Sequence, residues 1–202
     1  IWRMLVGAVL IASLSSLRGP PRPVKRRRAG ALVAVGSRDI GRAISVKLAS
    51  EGANVVVNYF SNEADADATL AAIDAAGAGK GIKVKADVTK ADEVAKLISA
   101  AQDAFGDAIH ILVNNAGGLV ARKTLSEMDE EFFNYVMQLN VTSTFLATQA
   151  AAAHMSEGGA VVNLASQAGR DGGGASGARS SCGSSVGGRR RRGARRGGRA
   201  GC

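Results

Sequence analysis

Five short clusters in this chain hold residue types that could do chemistry, and each sits at the end of an apolar run. Gly36-Ser37-Arg38-Asp39-Ile40-Gly41 follows "ALVAV" (31–35). Asn58 to Asn62 ends and follows "NVVVNYF" (54–60). Asp87 and Val88 close "IKVKADV" (82–88), Asn114-Asn115-Ala116-Gly117 closes "IHILVNNAG" (109–117), and Ser166 closes "AVVNLAS" (160–166). The first cluster has the makings of an anion site. Glycines permit a tight strand-to-helix turn, and backbone N–H groups at the helix start then point at a negatively charged group. Alone, that stretch is also an ordinary strand-to-helix turn, and Ser166 alone is an ordinary strand-end serine. Five such clusters at five strand ends carry more weight than any one of them.

The elements that must position them alternate. The five apolar runs read as strands, by β-branched content or alternation. Between them lie helical patterns at 41–52, 62–77 and 91–106, and one long helix at 128–155. Acids gather in the first turn of the 62–77 segment, where the helix dipole favours them. Strand–helix alternation with short loops implies a parallel sheet covered on both faces, because parallel neighbours need right-handed crossovers. The expected fold class is α/β: a Rossmann-like doubly wound parallel sheet in three αβα layers, incomplete on its C-terminal side. In such sheets ligands bind beyond the carboxyl ends of the strands, where all five clusters fall.

The totals bound the reading. A chain of 202 residues suits one domain with tails. Aromatic content is 4%, so Ala, Val, Leu and Ile must build the core. The net charge of +9 is uneven: residues 1–28 hold seven bases and no acid, and residues 172–202 hold eight arginines and no acid. The middle, 29–171, has eleven bases against seventeen acids, a net −6, so the high overall charge says little about what the body binds. Three segments follow: a basic and apolar N-terminal segment (1–29), disordered or mis-translated; a dinucleotide-binding domain (30–171); and a Gly/Arg-rich disordered tail (172–202). Met4 to Leu17 is apolar but too short to span a membrane. The tail reads as a basic arm able to bind nucleic acid weakly and nonspecifically, or as a GC-rich coding region translated out of register, and the abrupt loss of acids favours the latter. Cys182 and Cys202 both lie there and make neither a metal spacing nor a disulfide framework, so a reducing, cytoplasmic location is expected and no metal site. His110, His154, Phe132 and Phe133 are expected in packing roles, and the acids of Glu127–Glu131 at a solvated helix start.

The pattern over about residues 30–171 resembles the short-chain dehydrogenase/reductase family, in particular its 3-oxoacyl-carrier-protein-reductase-like members. "NNAG" at 114–117, "ADV" at 86–88, "LNVTSTF" at 139–145 and "VVNLAS" at 161–166 carry the resemblance. The family's glycine loop reads Thr-Gly-x-x-x-Gly-Ile-Gly, and the matching stretch is Ala34 to Gly41. Of the three motif glycines only Gly41 remains; Val35 adds β-branched bulk and Asp39 a negative charge where a pyrophosphate would lie. Gly36 is expected to recover some of the turn. Gly36, Ser37, Arg38, Ile40 and Gly41 are therefore expected to form a damaged but recognisable cofactor loop. Dinucleotide folds usually place an acid about 20 residues past that loop to hold the ribose 2′-hydroxyl. Here Tyr59, Ser61 and Asn62 stand at the second strand end with no acid among them, and Arg38 could pair with a 2′-phosphate, so NADP(H) is favoured over NAD(H).

The resemblance further implies Asp87 and Val88 at the adenine, and Asn114, Ala116 and Gly117 lining the adenosine ribose region. It implies a catalytic Ser166 orienting the substrate carbonyl and Asn140 supporting a proton relay. A Tyr-x-x-x-Lys pair should follow Ser166, but the last tyrosine is Tyr135 and the last lysine Lys123. Arg179, the nearest base in that region, stays protonated and cannot replace the tyrosine. The expected function is NADP(H)-dependent reduction of a small-molecule carbonyl, or oxidation of a secondary alcohol, by hydride transfer, inactive as written. The alternative is a non-catalytic nucleotide- or RNA-binding protein using the basic arm. Ending a parallel sheet at its fifth strand leaves an uncovered edge and favours poor soluble expression. The long helix is a family homo-oligomer surface, but its companion helix is not found, so the oligomeric state stays open.

Overall fold

The computed structural model describes residues 29–166. The expectations for the N-terminal segment, the basic arm, both cysteines and Arg179 lie outside the described residues. Five strands form one parallel sheet: β1 (Gly30–Ala34), β2 (Asn54–Tyr59), β3 (Gly81–Lys85), β4 (Ile109–Asn114) and β5 (Met155–Asn163), in the order β3-β2-β1-β4-β5. The helices are α1 (Asp39–Ser50), α2 (Glu63–Ala76), α3 (Ala91–Phe105), α4 (Glu130–Met137) and α5 (Ser143–Ala152).

Strand pleating sorts the apolar runs onto two faces, since successive side chains alternate. Leu32, Val56 and Leu112 pack with Val94, Leu97, Ile98 and Ala101 of α3 and Ala151 of α5. Val33, Val55, Val57 and Val113 pack with Ile44 and Leu48 of α1 and Ile73 of α2 on the other face. Central strands buried on both faces must be apolar throughout, which is why β1, β2 and β4 read as continuous Val/Ile/Leu runs. Edge strand β3 instead alternates with Lys83 and Lys85. Lys83 ion-pairs with Glu63 and Asp67 of α2, which raises its pKa and fastens that helix over the edge. Asn62 caps α2 by accepting from the Asp65 N–H, and Gly77 ends it at φ +71°. Among the described residues no helix is long and apolar enough to cross a membrane, and no cluster of three or more His, Cys, Asp or Glu could hold a metal.

The chain winds outward from β1 to β3, then crosses over to β4 and β5. That reversal puts a topological switch between β1 and β4, where doubly wound sheets take their ligands.

Several boundaries differ from the sequence reading. The first strand ends at Ala34, not Val35, and α1 begins at Asp39, two residues early. The third strand stops at Lys85, leaving Asp87 in a turn. The long helix is α4 and α5 joined by a π-helical turn at Gln138–Thr142, and it ends before residue 155. β5 starts at Met155, five residues early, because Met155 pairs with Ile109 ahead of a bulge. Pairing then jumps to Ile111 with Ala160, with Gly158 at φ +79° between. Phe133 is exposed rather than packed, while Phe132 lies under the Lys123 ammonium, 4.4 Å from its ring centre. His110 and His154 do pack: Nδ1 of His110 accepts from the Gly30 N–H at 3.1 Å, and Nδ1 of His154 lies 3.1 Å from the Gln102 amide.

Leu97 is fully buried and Leu125 is 89% exposed. Leu97→Ala is expected to cost about 2–5 kcal/mol in urea unfolding, whereas Leu125→Ala should fall within about 0.5 kcal/mol of the parent.

Candidate functional site

The loop from β1 to α1 makes the centre of the rim. Val35 and Asp39 both take left-handed backbone conformations, φ +53° and +47°. Aspartate visits that region at modest cost, but for a β-branched valine it is an outlier. The turn that Gly36 was expected to supply is made by Val35 itself. Both of its backbone groups are held by asparagine side chains: its N–H donates to Oδ1 of Asn58 at 3.0 Å, and its carbonyl accepts from Nδ2 of Asn115 at 2.9 Å. The Gly36 N–H donates to the Asn58 carbonyl at 2.9 Å, and Ser45 Oγ donates to the Gly36 carbonyl at 3.3 Å. Gly41 must be glycine, because a Cβ there would lie 2.1 Å from the Val35 carbonyl oxygen.

Asn58 is wholly buried inside an apolar strand, and its amide also donates to the Ala86 carbonyl at 2.9 Å. One side chain thus joins the carboxyl ends of β1, β2 and β3. Farther along the loop, the Ser37 carbonyl accepts from Nε and Nη2 of Arg42 and from Oγ1 of Thr69. Arg38, at the N-cap of α1, makes no side-chain cap, so the first N–H groups of that helix face the rim without a capping oxygen. The Arg38 guanidinium is exposed and lies 3.7 Å from the Asp39 carboxylate. Ile40 is half-buried and packs against the α1 and α2 side of the core.

At the end of β2, Tyr59 is buried, and burial and the neighbouring Glu63 carboxylate raise its phenol pKa above the usual value. It stays protonated at neutral pH, on the far side of β1 from β5. Ser61 and Asn62 are exposed, and the Asn62 amide donates to Oδ2 of Asp65 at 2.7 Å. At the end of β3, burial pushes the Asp87 carboxyl up. Hydrogen bonds from the Thr89 hydroxyl and N–H, with the Lys90 charge, outweigh it and leave the carboxyl below the usual aspartate range. Val88 is buried in the core facing α3, so it offers the rim backbone rather than side chain.

Asn114 closes β4, 3% exposed. Its amide donates to Thr148 Oγ1 at 3.0 Å and to Asn163 Oδ1 at 2.8 Å, while its own Oδ1 is buried with no hydrogen-bond partner. Such an orphaned acceptor at a sheet rim suits a ligand donor. Ala116 is half-buried against the core, and Gly117 sits at φ +143° with Oδ1 of Asn140 2.7 Å from where a Cβ would lie. Asn140 lies in the π turn between α4 and α5. Its Oδ1 accepts from the Gly118 N–H at 2.9 Å, and its amide donates to the carbonyls of Gly118 and Val136. Single π turns recur at functional sites because the extra residue re-aims a side chain, and here it aims Asn140 at the Asn114–Gly118 loop. Ser166 is exposed, three residues past the end of β5.

Each singled-out residue therefore falls at or beside a strand's carboxyl end, apart from Asn140, which reaches that edge from the helix above it. The sequence reading placed Asn58 and Asn115 in the strand-end clusters without seeing that they support the loop, and it did not single out Arg42 or Thr69. A lone asparagine in a Val-rich strand was the available signal for Asn58.

Asn58→Ala leaves the Val35 N–H and the Ala86 carbonyl unpaired in the interior, and urea unfolding should report a loss of about 1–3 kcal/mol. Because its pKa is depressed on folding, Asp87 contributes stability above an unfolded aspartate's pKa of 3.8, and that contribution is lost as pH falls through the folded value. Asp87→Asn should flatten the acid limb of the stability–pH curve and leave its neutral-to-alkaline shape unchanged.

A sequence model of the family described as short chain dehydrogenase matches residues 29–182. An uncharacterized oxidoreductase of Methylorubrum extorquens is 45% identical over 136 residues, 67% of this chain and 54% of the relative. A 3-oxoacyl-[acyl-carrier-protein] reductase of Synechocystis is 44% identical over 142 residues, 69% and 56% of the two chains. The chain thus spans about half the length of these relatives. Among solved structures, an NADH-dependent reductase A1-R′ complexed with NAD superposes with TM-score 0.69 at 36% identity, over 77% of this chain and 66% of that one. A protein from Burkholderia cenocepacia with bound NADP does so with TM-score 0.70 at 31% identity, over 78% and 58%. The chain belongs to the short-chain dehydrogenase/reductase family.

Proposed function

We propose that this chain binds NADP(H) along the carboxyl rim of its sheet and that its 202 residues alone hold the cofactor without completing a redox turnover. The observation that carries the reading is the backbone of the β1–α1 loop. Val35 and Asp39 stand where the family has glycine, yet both keep the left-handed conformation that glycine would take there. The cradle survives the loss of the residues that usually make it.

The residues fit a dinucleotide in three ways. The uncapped N-terminus of α1 and the Gly36–Gly41 backbone suit a pyrophosphate. Gly41 and Gly117 let the loop and the segment after β4 pack closely against Val35 and Asn140 at the rim, and Asn114 Oδ1 needs a donor. Arg38, with Ser61 and Asn62, suits a 2′-phosphate, while Asp39 opposes the negative charge and competes for Arg38. Tyr59 sits beside them at the end of β2, and Asp87 and the Val88 backbone would face the adenine. Asn114, Ala116 and Gly117 would line the adenosine ribose region. When bound, the nicotinamide supplies or accepts the hydride. Ser166 would orient a small-molecule carbonyl or secondary alcohol, and Asn140 would support the proton relay from its π turn. Neither can act as the proton donor that a Tyr-x-x-x-Lys pair supplies: a serine hydroxyl is too weak an acid at neutral pH, and an amide does not exchange a proton there.

Fluorescence titration of the purified chain separates the parts of this reading. NADPH should bind about tenfold or more tightly than NADH, and Arg38→Ala should erase the difference, since a charge-assisted pair is removed. Equal affinity for both cofactors in the parent chain contradicts the NADP(H) preference. Mixing NADPH with a β-keto ester should give no steady loss of absorbance at the nicotinamide band; sustained oxidation would overturn the claim that the chain does not turn over.

A further inference from the structure

A strained loop keeps its shape only where its surroundings over-determine it. Two residues of the β1–α1 loop sit in left-handed backbone regions, one of them β-branched. The asparagines at 58 and 115 fix the first of these, at Val35. Both of those bonds are made at Val35, ahead of the second half of the loop, where Asp39 turns the chain into α1. There the Ser37 carbonyl is held by Arg42 Nε at 3.3 Å, Arg42 Nη2 at 3.1 Å and Thr69 Oγ1 at 2.7 Å. Arg42 Nε also donates to Thr69 Oγ1 at 2.8 Å, and Nη2 also donates to the Asp65 carbonyl at 3.1 Å and to Asp65 Oδ1 at 3.3 Å. Thr69 is wholly buried and Ser37 is 5% exposed, so the bond between them forms out of water, whereas the Arg42 and Asp65 side chains are 36% and 32% exposed. Arg42 and Thr69 belong to α1 and α2, so the clamp ties the loop to both helices of one face.

We propose that Arg42 and Thr69 are positioning residues that hold the Ser37–Asp39 half of the loop in its anion-cradling conformation against the strain of the non-glycine residues at 35 and 39. Arg42 acts here through the loop: its Nε and Nη2 donate to the Ser37 carbonyl, Thr69 and Asp65. The clamp acts by setting the fraction of molecules whose loop is ready to bind, and a fall in that fraction weakens apparent affinity in proportion. In a chain with glycine at both positions the left-handed conformation carries no strain, and the clamp becomes dispensable.

The inference rests on the dinucleotide reading above, and the test separates the two. NADPH dissociation constants are measured for the parent, Arg42→Gln and Thr69→Val, each also in a Val35→Gly/Asp39→Gly background, with amide hydrogen exchange of Gly36 to Gly41 followed in parallel. Arg42→Gln should weaken NADPH about tenfold or more in the parent background and less than about threefold in the glycine background, with Thr69→Val showing the same pattern at smaller size. A merely structural role predicts equal losses in both backgrounds, and that result overturns the proposal. If no chain in either background binds NADPH, the dinucleotide reading fails and hydrogen exchange decides the clamp. Faster loop exchange on Arg42→Gln in the parent background alone upholds it, and equal acceleration in both backgrounds overturns it. Should Arg42→Gln fail to fold, Thr69→Val carries the same comparison.

Discussion

A valine in a left-handed conformation is the constraint on which the rim depends. Val35 does not favour φ +53° by itself. It is held there because Asn58 binds its N–H from β2 and Asn115 binds its carbonyl from the segment after β4. Those two amides come from β2 and from the segment that follows β4, on either side of β1, so the loop conformation is a property of the assembled sheet. The same two bonds bring the ends of β1, β2 and β4 into one register, and Asn58 extends the tie to Ala86 beyond β3. Gly41 then packs against the Val35 carbonyl with no room for a side chain. Strain in one residue and close approach in another describe a single arrangement: a backbone turned inward so that α1 begins facing the rim.

The other side of the rim is built by the same means. Asn114 ties β4 to Asn163 of β5 and to Thr148 of α5, and Asn140 reaches down from a π turn to grip Gly118. Side-chain amides serve here because each offers both donors and an acceptor, so one residue can bond groups from two elements. Polar networks of this kind suit a sheet edge where five loops must converge but no regular ladder continues. The exposed Ser166 lies beyond them, past the end of β5, where the Leu164 N–H still donates to the Asn114 carbonyl.

Much of this was legible in the sequence. Val-rich runs between Ala-rich helices give a parallel sheet with two apolar faces, and the faces that Leu32 and Val33 occupy follow from strand pleating. The polar clusters at the strand ends were equally plain, because a Gly or Asn closing an apolar run has few other uses. What escaped was conformational and long-range. Propensity alone says that Val35 cannot turn left-handed and that Gly36 should; the bonds that reverse this come from 23 and 80 residues away. The π turn was invisible because helical periodicity over 128–155 is compatible with one extra residue in one turn. The early start of β5 was hidden because Met155 to Gly159 carries no strand signal and is recruited by pairing with β4 across a bulge. Val88 looked like a rim residue by position, but its side chain follows the alternation of the sheet into the core.

The central claim is that one edge of this sheet, with the Val35–Gly41 backbone at its middle, receives a dinucleotide. A backbone amide NMR map of the chain with and without NADPH tests it most directly. Resonances of Gly36 to Gly41, of Asp87 and of Asn114 to Gly117 should move together, while Gly30, Gly81 and Ile109 at the opposite edge stay still. Shifts that spare the loop and gather on the groove along Lys123, Asp129 and Tyr135 would contradict it.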